Sequence, residues 1–194
     1  FDARRQAGRV RDGHGDLRLE QIYLGDDGTT TILDCIEFNE RFRFGDVCAD
    51  IAFLSMDLAA RHRVDLAELL LGAANDYDLY LLVDFYESYR AFVRGKVATM
   101  LAADLGARPD ARRRAAAEAR HYFLLALAAK RPSLMGPVVV AVGGIIASGK
   151  STAARHLGRH LGAPVVDSDR TRKYLAAVGP TDPLAGTAWQ GAYS

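Results

Sequence analysis

The chain contains 194 residues, 49% of them hydrophobic, and it carries a net charge of +1. This composition excludes a disordered polypeptide and suffices for one or two globular domains. The near-neutral charge argues against nucleic acid as the default partner. No apolar run approaches the roughly 20 residues that span a bilayer, so we expect no membrane partner. Cys35 and Cys48 lack the spacing of metal or redox pairs, which predicts reduced thiols in a cytoplasmic protein.

The first motif is a His-Gly-Asp loop at residues 14–16, which follows the tail of a predicted helix at residues 1–8. After the loop come a short strand, a turn at residues 25–28 and a second strand over residues 30–37 that carries Asp34. Two carboxylates on such a loop and strand are the arrangement of protein-kinase-like phosphotransferases. The tripeptide alone also fits an ordinary β-turn, but Asp34 on the next strand favours the functional interpretation.

This region resembles the aminoglycoside phosphotransferase family. The resemblance implies that Asp16 is the catalytic carboxylate, which accepts the proton of the acceptor hydroxyl, and that Asp34 is a Mg²⁺ ligand. It also implies that His14 braces the loop. The family pattern has Asn five residues after the catalytic Asp, whereas this chain has Gln21 there. Gln21 retains the amide oxygen of a second metal ligand, on an arm that is longer by one methylene.

A second element of the same family follows the metal-binding Asp and packs against the catalytic loop. Its pattern, Gly-Asp-x-x-x-Asp followed by a small apolar segment, is matched by Gly45, Asp46 and Asp50. The resemblance implies a supporting role for Asp50, and we expect this carboxylate to hold the His14 loop by hydrogen bonds without taking part in the chemistry.

The middle of the chain shows the apolar spacing of helices. Arg90, Arg94 and Lys96 are expected on the solvated side, where they could also meet an anionic substrate. Gly106 should end this helix, and Pro109 should start the next one. We expect the core stripe to be formed by aromatic residues at helical spacing, namely Tyr77, Tyr80, Phe85, Tyr86, Tyr89 and Phe92.

A phosphate-binding loop is the most specific motif. A β-branched run from Val138 leads into Gly144, four residues, and then Gly149-Lys150-Ser151, which matches G-x-x-x-x-G-K-[ST] between a predicted strand and a helix. Backbone amides and the helix N-terminus would hold the phosphates of ATP, Lys150 would reach the β- and γ-phosphates, and the Ser151 hydroxyl would bind Mg²⁺. An ordinary glycine-rich turn is the alternative. The expected nucleotide-binding residues are Gly144, Ser148, Gly149, Lys150, Ser151 and Thr152.

A second predicted strand at Val165-Val166 leads into Ser-Asp-x-x-Arg-Lys at residues 168–173. This element resembles the one in small P-loop kinases of the zeta-toxin and polynucleotide-kinase type. The resemblance implies that Asp169 is the base that takes the acceptor's proton and that Arg172 contacts substrate or phosphate. The alternative for Asp169 is the N-cap of the following helix, because Ser and Asp commonly precede helices.

The chain from about Val10 to Val178 resembles bacterial two-domain proteins in which an aminoglycoside phosphotransferase-like domain is fused to a predicted ATP-binding P-loop kinase of the AAA or zeta-toxin-like kind. The expected fold is therefore α/β and α+β: a mostly helical, partial kinase-like C-lobe, followed by the β-α-β start of a parallel sheet. Prolines and a glycine predict a linker with a boundary near Pro132. The expected parts are residues 1–131, the linker 132–137 and the P-loop domain 138–194.

Three functional hypotheses remain open. Both halves of a longer parent protein could transfer phosphoryl groups from ATP, with Mg²⁺, to small hydroxyl-bearing acceptors. Alternatively, the kinase-like half could be an inactive binding or regulatory module for an active P-loop half, and Gln21 motivates this hypothesis. The third expectation is that the segment alone does no chemistry, because the resemblance implies a missing N-terminal lobe and a missing arginine-bearing lid. No residue identifies the acceptors.

Overall fold

A computed structural model describes residues 2–128 and 138–183. The predicted linker, the boundary near Pro132 and the tail beyond residue 183 lie outside the described residues. The described part is a mixed α/β structure in which helices dominate. Its helices are α1 (Asp2–Gln6), α2 (Cys48–Ala60), α3 (Val64–Ala73), α4 (Val83–Ala103), α5 (Pro109–Ala128), α6 (Lys150–Leu161) and α7 (Ser168–Leu175), and its strands are β1 (Val10–Asp12), β2 (Ile22–Leu24), β3 (Thr30–Ile32) and β4 (Phe44–Asp46).

Two small antiparallel sheets frame the His-Gly-Asp loop. Strand β1 pairs with β4, with Val10 opposite Asp46. Strands β2 and β3 form the expected hairpin, with Ile22 opposite Ile32. The predicted second strand is too long, since β3 ends at Ile32. Asp34 has φ 64°, and a residue in this left-handed region interrupts extended backbone.

Helix α2 lies at the centre of the helical core. It packs against α3 and α4, and its Cys48, Ala52, Phe53 and Met56 side chains are at most 1% exposed. Helix α5 begins at Pro109, as predicted, and packs along α4. The core therefore assembles on the helix that directly follows β4.

The aromatic stripe on α4 is largely exposed, although the Phe92 ring lies 5.8 Å, centre to centre, from that of Phe123 on α5. Phe85, Tyr89 and Phe92 are 66%, 52% and 49% exposed, so the prediction that they form the core is wrong for these three. The buried face of α4 is instead made of Ala91, Gly95 and Ala98. Small residues allow two helix backbones to approach closely, which large aromatic side chains prevent. Tyr80 and Tyr86 do pack against the core, as expected.

Two arginines expected on the solvated side of α4 lie over aromatic rings. The Arg90 guanidinium lies 4.7 Å from the ring centre of Phe53, and that of Arg94 lies 5.6 Å from the ring centre of Tyr122. Arginine covers aromatic surface with its planar head while the charge stays near water. The solvated-face prediction is therefore wrong for both arginines and is confirmed for Lys96, which is exposed.

The predicted strands around the phosphate-binding loop do not pair. Residues 138–143 and 165–166 form neither helix nor strand, and the described residues contain no parallel pairing. Val139 is 94% exposed. The expected β-α-β start of a parallel sheet is therefore not formed by the described residues. Among the described residues, no helix is long and apolar enough to cross a membrane.

Candidate active site

The His-Gly-Asp loop is fastened to α2 by the carboxylate of Asp50. The backbone N–H of His14 donates to Asp50 Oδ2 at 2.7 Å, and that of Gly15 donates to Oδ1 at 2.9 Å. Hydrogen bonds from backbone amides to a carboxylate are charge-assisted and strong. The predicted supporting role of Asp50 is confirmed, and the loop takes its position from a helix of the core.

A second carboxylate of α2 holds the far end of the same loop. Asp57 Oδ2 accepts the backbone N–H of Leu19 at 3.0 Å, and Asp57 is only 4% exposed. Asp50 and Asp57 are seven residues apart, which is about two helical turns, so they lie on one side of α2. Sequence reasoning missed Asp57, although this spacing from Asp50 was a usable signal.

The turn itself requires glycine at its centre. Gly15 has φ 82°, and a Cβ there would lie 2.9 Å from both Ile36 Cδ1 and the Phe42 carbonyl oxygen. A larger residue would clash with the Phe42 carbonyl oxygen and would also have a strained backbone at this positive φ. The close approach brings the loop against residues 36–42, which follow Asp34 in the chain.

His14 connects this loop to the segment that carries Asp34. Its ring Nε2 lies 2.8 Å from the Leu33 carbonyl oxygen, and its own carbonyl accepts the Ile36 N–H at 3.1 Å. A carbonyl only accepts, so Nε2 carries the ring proton and Nδ1 faces the Asp16 N–H, 3.4 Å away, as an acceptor. The predicted bracing role of His14 is confirmed, and it brings the Asp16 and Asp34 segments together.

Asp34 is an exposed carboxylate on a backbone with positive φ. It is exposed, no described residue donates a hydrogen bond to its side chain, and its backbone is held at φ 64° between the two contacts of His14. Non-glycine residues at positive φ concentrate at functional sites. Carboxylate oxygens are the ligands that Mg²⁺ prefers, so the donor chemistry fits the ion. Among the described residues, no cluster of three or more His, Cys, Asp or Glu side chains is formed.

Asp16 and Gln21 are both engaged by Arg18. The Arg18 guanidinium Nε lies 3.1 Å from Asp16 Oδ2, and its Nη1 lies 2.6 Å from Glu20 Oε2. Gln21 is 4% exposed, and its side-chain oxygen accepts the backbone N–H of Arg18 at 3.1 Å. The Gln21 side-chain oxygen, which is expected to bind metal, therefore accepts a hydrogen bond from within its own loop.

The phosphate-binding loop leads directly into α6. Gly149 is the left-handed N-cap with φ 83°, and the first intrahelical hydrogen bond runs from the Ala153 N–H to Gly149. The N–H groups of Lys150, Ser151 and Thr152 precede that bond and point out of the helix end. Ser151 and Thr152 are exposed. The helix begins at Lys150, inside the motif.

Lys150 lies back over this loop. Its Nζ donates to the Ile145 carbonyl, and its side chain passes Gly144, where a Cβ would lie 3.4 Å from Lys150 Cγ and 2.8 Å from Ser148 Oγ. Gly144 is therefore needed for this close approach. The arrangement places the Lys150 ammonium over the loop that precedes the free N–H groups at the start of α6, and groups of this kind suit a phosphate.

Helix α7 carries the remaining predicted residues. Its N-cap is Asp167, whose Oδ1 accepts the N–H groups of Asp169 and Arg170 at 2.9 and 3.0 Å. The alternative that Asp169 is the N-cap is therefore wrong. Asp169 lies in the first turn, 3.2 Å from Lys173 Nζ, with its side chain 48% exposed. Arg172 is exposed on the same helix.

A buried ion cluster beneath the first site was not foreseen. Arg4 donates to both oxygens of Asp46, at 2.8 Å from Nη2 to Oδ1, and to both oxygens of Asp76, at 2.9 and 3.0 Å. Burial opposes ionisation of Asp46, but bonds from Arg4 and the Cys48 N–H outweigh it and lower the pKa of this carboxyl. Asp46 thereby fixes the start of α2. Partners separated by 42 and 72 residues leave no local sequence signal.

A half-buried carboxyl lies between α2 and α4. Glu87 of α4 accepts the Ser55 hydroxyl at 2.6 Å. Burial raises the pKa of Glu87 to about 7, against the opposing effect of the Ser55 bond. The group therefore changes charge near neutral pH, and it lies outside both candidate sites.

Comparison with known proteins identifies relatives whose names state no activity. The chain is 34% identical over its whole length to "Uncharacterized protein Rv2004c" of Mycobacterium tuberculosis and to "Uncharacterized protein Mb2027c" of Mycobacterium bovis. It spans 38% of the length of these relatives. No family model matches the chain, and no solved structure matches it.

Proposed function

We propose that the longer protein to which this chain corresponds is an ATP-dependent phosphotransferase with a small hydroxyl-bearing acceptor. The single observation that carries the proposal is the loop of residues 144–149, which leads into the free N–H groups of the first turn of α6 and is covered by the Lys150 side chain. This arrangement suits the triphosphate of a nucleotide. Residues 138–194 are then the start of a P-loop kinase domain, and ATP supply fits the cytoplasmic location that we propose.

In this half, Lys150 binds the β- and γ-phosphates and the Ser151 hydroxyl holds Mg²⁺, which neutralises charge on the phosphates. Asp169 takes the proton of the acceptor hydroxyl while that oxygen bonds to the γ-phosphorus and the bond to the leaving ADP oxygen breaks. Arg172 binds the substrate or phosphate oxygens. The exposure of Asp169 and Arg172 leaves both side chains accessible to an acceptor.

The first half is proposed to be a partial kinase-like C-lobe that performs the same chemistry on another acceptor. Asp16 is its proton acceptor, and Asp34, with the Gln21 amide oxygen, holds Mg²⁺. The fastening of the loop by Asp50, and its link to the Asp34 segment through His14, support this role. A rigidly held carboxylate is what positioning catalysis requires.

A second candidate function for the first half is a binding or regulatory module. Two contacts favour it: Arg18 pairs with Asp16, and the Gln21 oxygen is engaged by the Arg18 amide. Both groups expected to do chemistry are then occupied by the loop's own residues. In this alternative, only the P-loop half turns over ATP.

Calorimetric titration of Mg·ATP into the full-length protein distinguishes a catalytic first half from a first half that is only a binding or regulatory module. We expect two binding events, of which Lys150→Ala removes one and Asp34→Ala removes the other. Matched controls are Lys96→Ala and Asp26→Ala, which remove an exposed lysine and an exposed aspartate away from both sites. If Lys150→Ala removes a binding event and Asp34→Ala does not, the first half is a binding module. Unchanged binding in Lys150→Ala refutes the nucleotide site itself.

A further inference from the structure

Helix α7 touches the first half of the chain through one aromatic residue. The Tyr174 hydroxyl donates to Asp78 Oδ2 at 3.0 Å, and the Tyr174 ring meets that of Tyr77 edge to face, with ring centres 5.1 Å apart. Tyr77 and Asp78 open the short 3-10 helix Tyr77–Leu81 that precedes α4. A hydrogen bond and an aromatic pair at one side chain form a specific contact.

Two further residues of α7 extend this contact. The Thr171 hydroxyl lies 3.4 Å from the Tyr77 hydroxyl, and Arg170 Nη2 lies 3.4 Å from Asn75 Oδ1. Helix α6 adds a second point of contact, since α6 packs on α3. At its end, a Cβ on Gly162 would lie 3.1 Å from Val64 Cγ1.

The contacting residues of α7 lie opposite the residues assigned to chemistry. At about 100° per residue, positions 170, 171 and 174 fall within roughly one third of the helix circumference. Asp169, Arg172 and Lys173 fall on the other side, and Asp169 pairs with Lys173 there. The contact with the first half therefore turns the Asp169 side of α7 away from that half.

The receiving surface is firmly anchored. Asp76, directly before the 3-10 helix, is 3% exposed and bonded to Arg4, which also bonds Asp46 at the start of α2. A buried, fully bonded charge cluster has few alternative arrangements. The surface that receives α7 is thus continuous with the core helix that holds the His14 loop.

We infer that the first half positions the acceptor-binding helix of the P-loop half, with Tyr77 and Asp78 as positioning residues for Asp169 and Arg172. The inference rests on the proposed function, in which Asp169 and Arg172 meet the acceptor. It makes the second site incomplete without the first half, whether or not the first half is itself catalytic.

Hydrogen–deuterium exchange on the full-length protein tests the contact independently of activity. Asp78→Ala removes the acceptor of the Tyr174 hydroxyl, whereas Asp78→Asn keeps an amide oxygen there. We expect exchange in residues 168–175 to rise about fivefold in Asp78→Ala, as for loss of one hydrogen bond, and to return towards the wild-type rate in Asp78→Asn. The control Asp26→Ala leaves these amides unchanged.

A kinetic measurement tests the positioning role. Hydrolysis of Mg·ATP, in which water takes the place of the acceptor hydroxyl and phosphate is released, is followed in an Asp34→Ala background, so that only the Lys150 site contributes. We expect Asp78→Ala to lower kcat about fivefold with the KM for ATP unchanged, because the loop of residues 144–151 still binds the nucleotide. Asp78→Asn restores kcat. A general loss of structure would raise KM and lower Tm as well.

The outcomes separate the inference from the proposed function. Unchanged exchange of residues 168–175 in both Asp78→Ala and Tyr174→Phe overturns the docking contact. Faster exchange with unchanged kcat overturns the positioning role. Unchanged ATP binding in Lys150→Ala instead refutes the nucleotide site, and the exchange result still decides whether α7 docks on the first half.

Discussion

Replacing Asp50 by alanine removes two hydrogen bonds at once. Its carboxylate accepts the N–H of His14 at 2.7 Å and the N–H of Gly15 at 2.9 Å. A hydrogen bond to a charged group contributes about 1.5–3 kcal/mol, and Asp50 is only partly buried, so we take the lower end. The expected loss is about 3 kcal/mol for Asp50→Ala and about half of that for Asp50→Asn, which keeps one accepting oxygen.

The assay is urea unfolding of the full-length protein, together with hydrogen exchange of residues 13–19. We expect the two amides bonded to Asp50 to lose protection before the rest of the protein unfolds. Asp26→Ala is the control, because Asp26 lies in the exposed β2–β3 turn, and it should change stability by less than about 0.5 kcal/mol. A loss below about 1 kcal/mol in Asp50→Ala, with unchanged exchange at these amides, would refute the account of the loop.

Four further substitutions test the fold. Arg4→Ala leaves two buried carboxylates without their cation and should cost about 3–5 kcal/mol in urea unfolding. Gly95→Ala places a Cβ 2.8 Å from the ring of Phe123 and should destabilise despite the better helix propensity of alanine, whereas Gly72→Ala, with open space around it, should stabilise by about 0.5–1 kcal/mol. Burial raises the pKa of Glu87 from 4.5 to about 7, so its ionisation destabilises the fold. As the pH rises from 4.5 to about 7, the free energy of unfolding of the wild type should fall by about 3 kcal/mol relative to that of Glu87→Gln, and the difference should then stay constant. A difference that does not depend on pH would contradict the raised pKa of Glu87.

Local chemistry explains which parts of the fold followed from the sequence. The turn at residues 25–28 fixed the β2–β3 hairpin, Pro109 marked the start of α5, and the glycines around Lys150 led into α6. Each feature depends on residues a few positions apart. The end of β3 at Ile32 was missed because the backbone of Asp34 is set by contacts with His14, which lies 20 residues earlier.

Long-range packing explains the errors. A stripe of aromatic residues and a stripe of small residues both recur at helical spacing on α4, and the sequence does not say which one meets a neighbour. Phe123 of α5 lies against Gly95, so the small stripe was selected. Arg4 lies in the short helix α1 and is 8% exposed between two carboxylates. Burial of a charge depends on partners that only the folded chain supplies.

The position of Asp16 is decided by α2 more than by its own loop. Asp50 and Asp57 hold Gly15 and Leu19, one on either side of Asp16, from two points about two turns apart on one rigid helix. The loop between them has a fixed span, and a residue inserted there would break one of the two bonds. In both candidate sites, a side chain proposed to act in chemistry lies on a short segment that an anchored helical surface holds. This surface is α2 for Asp16, and it is the 3-10 helix beginning at Tyr77 for the helix that carries Asp169.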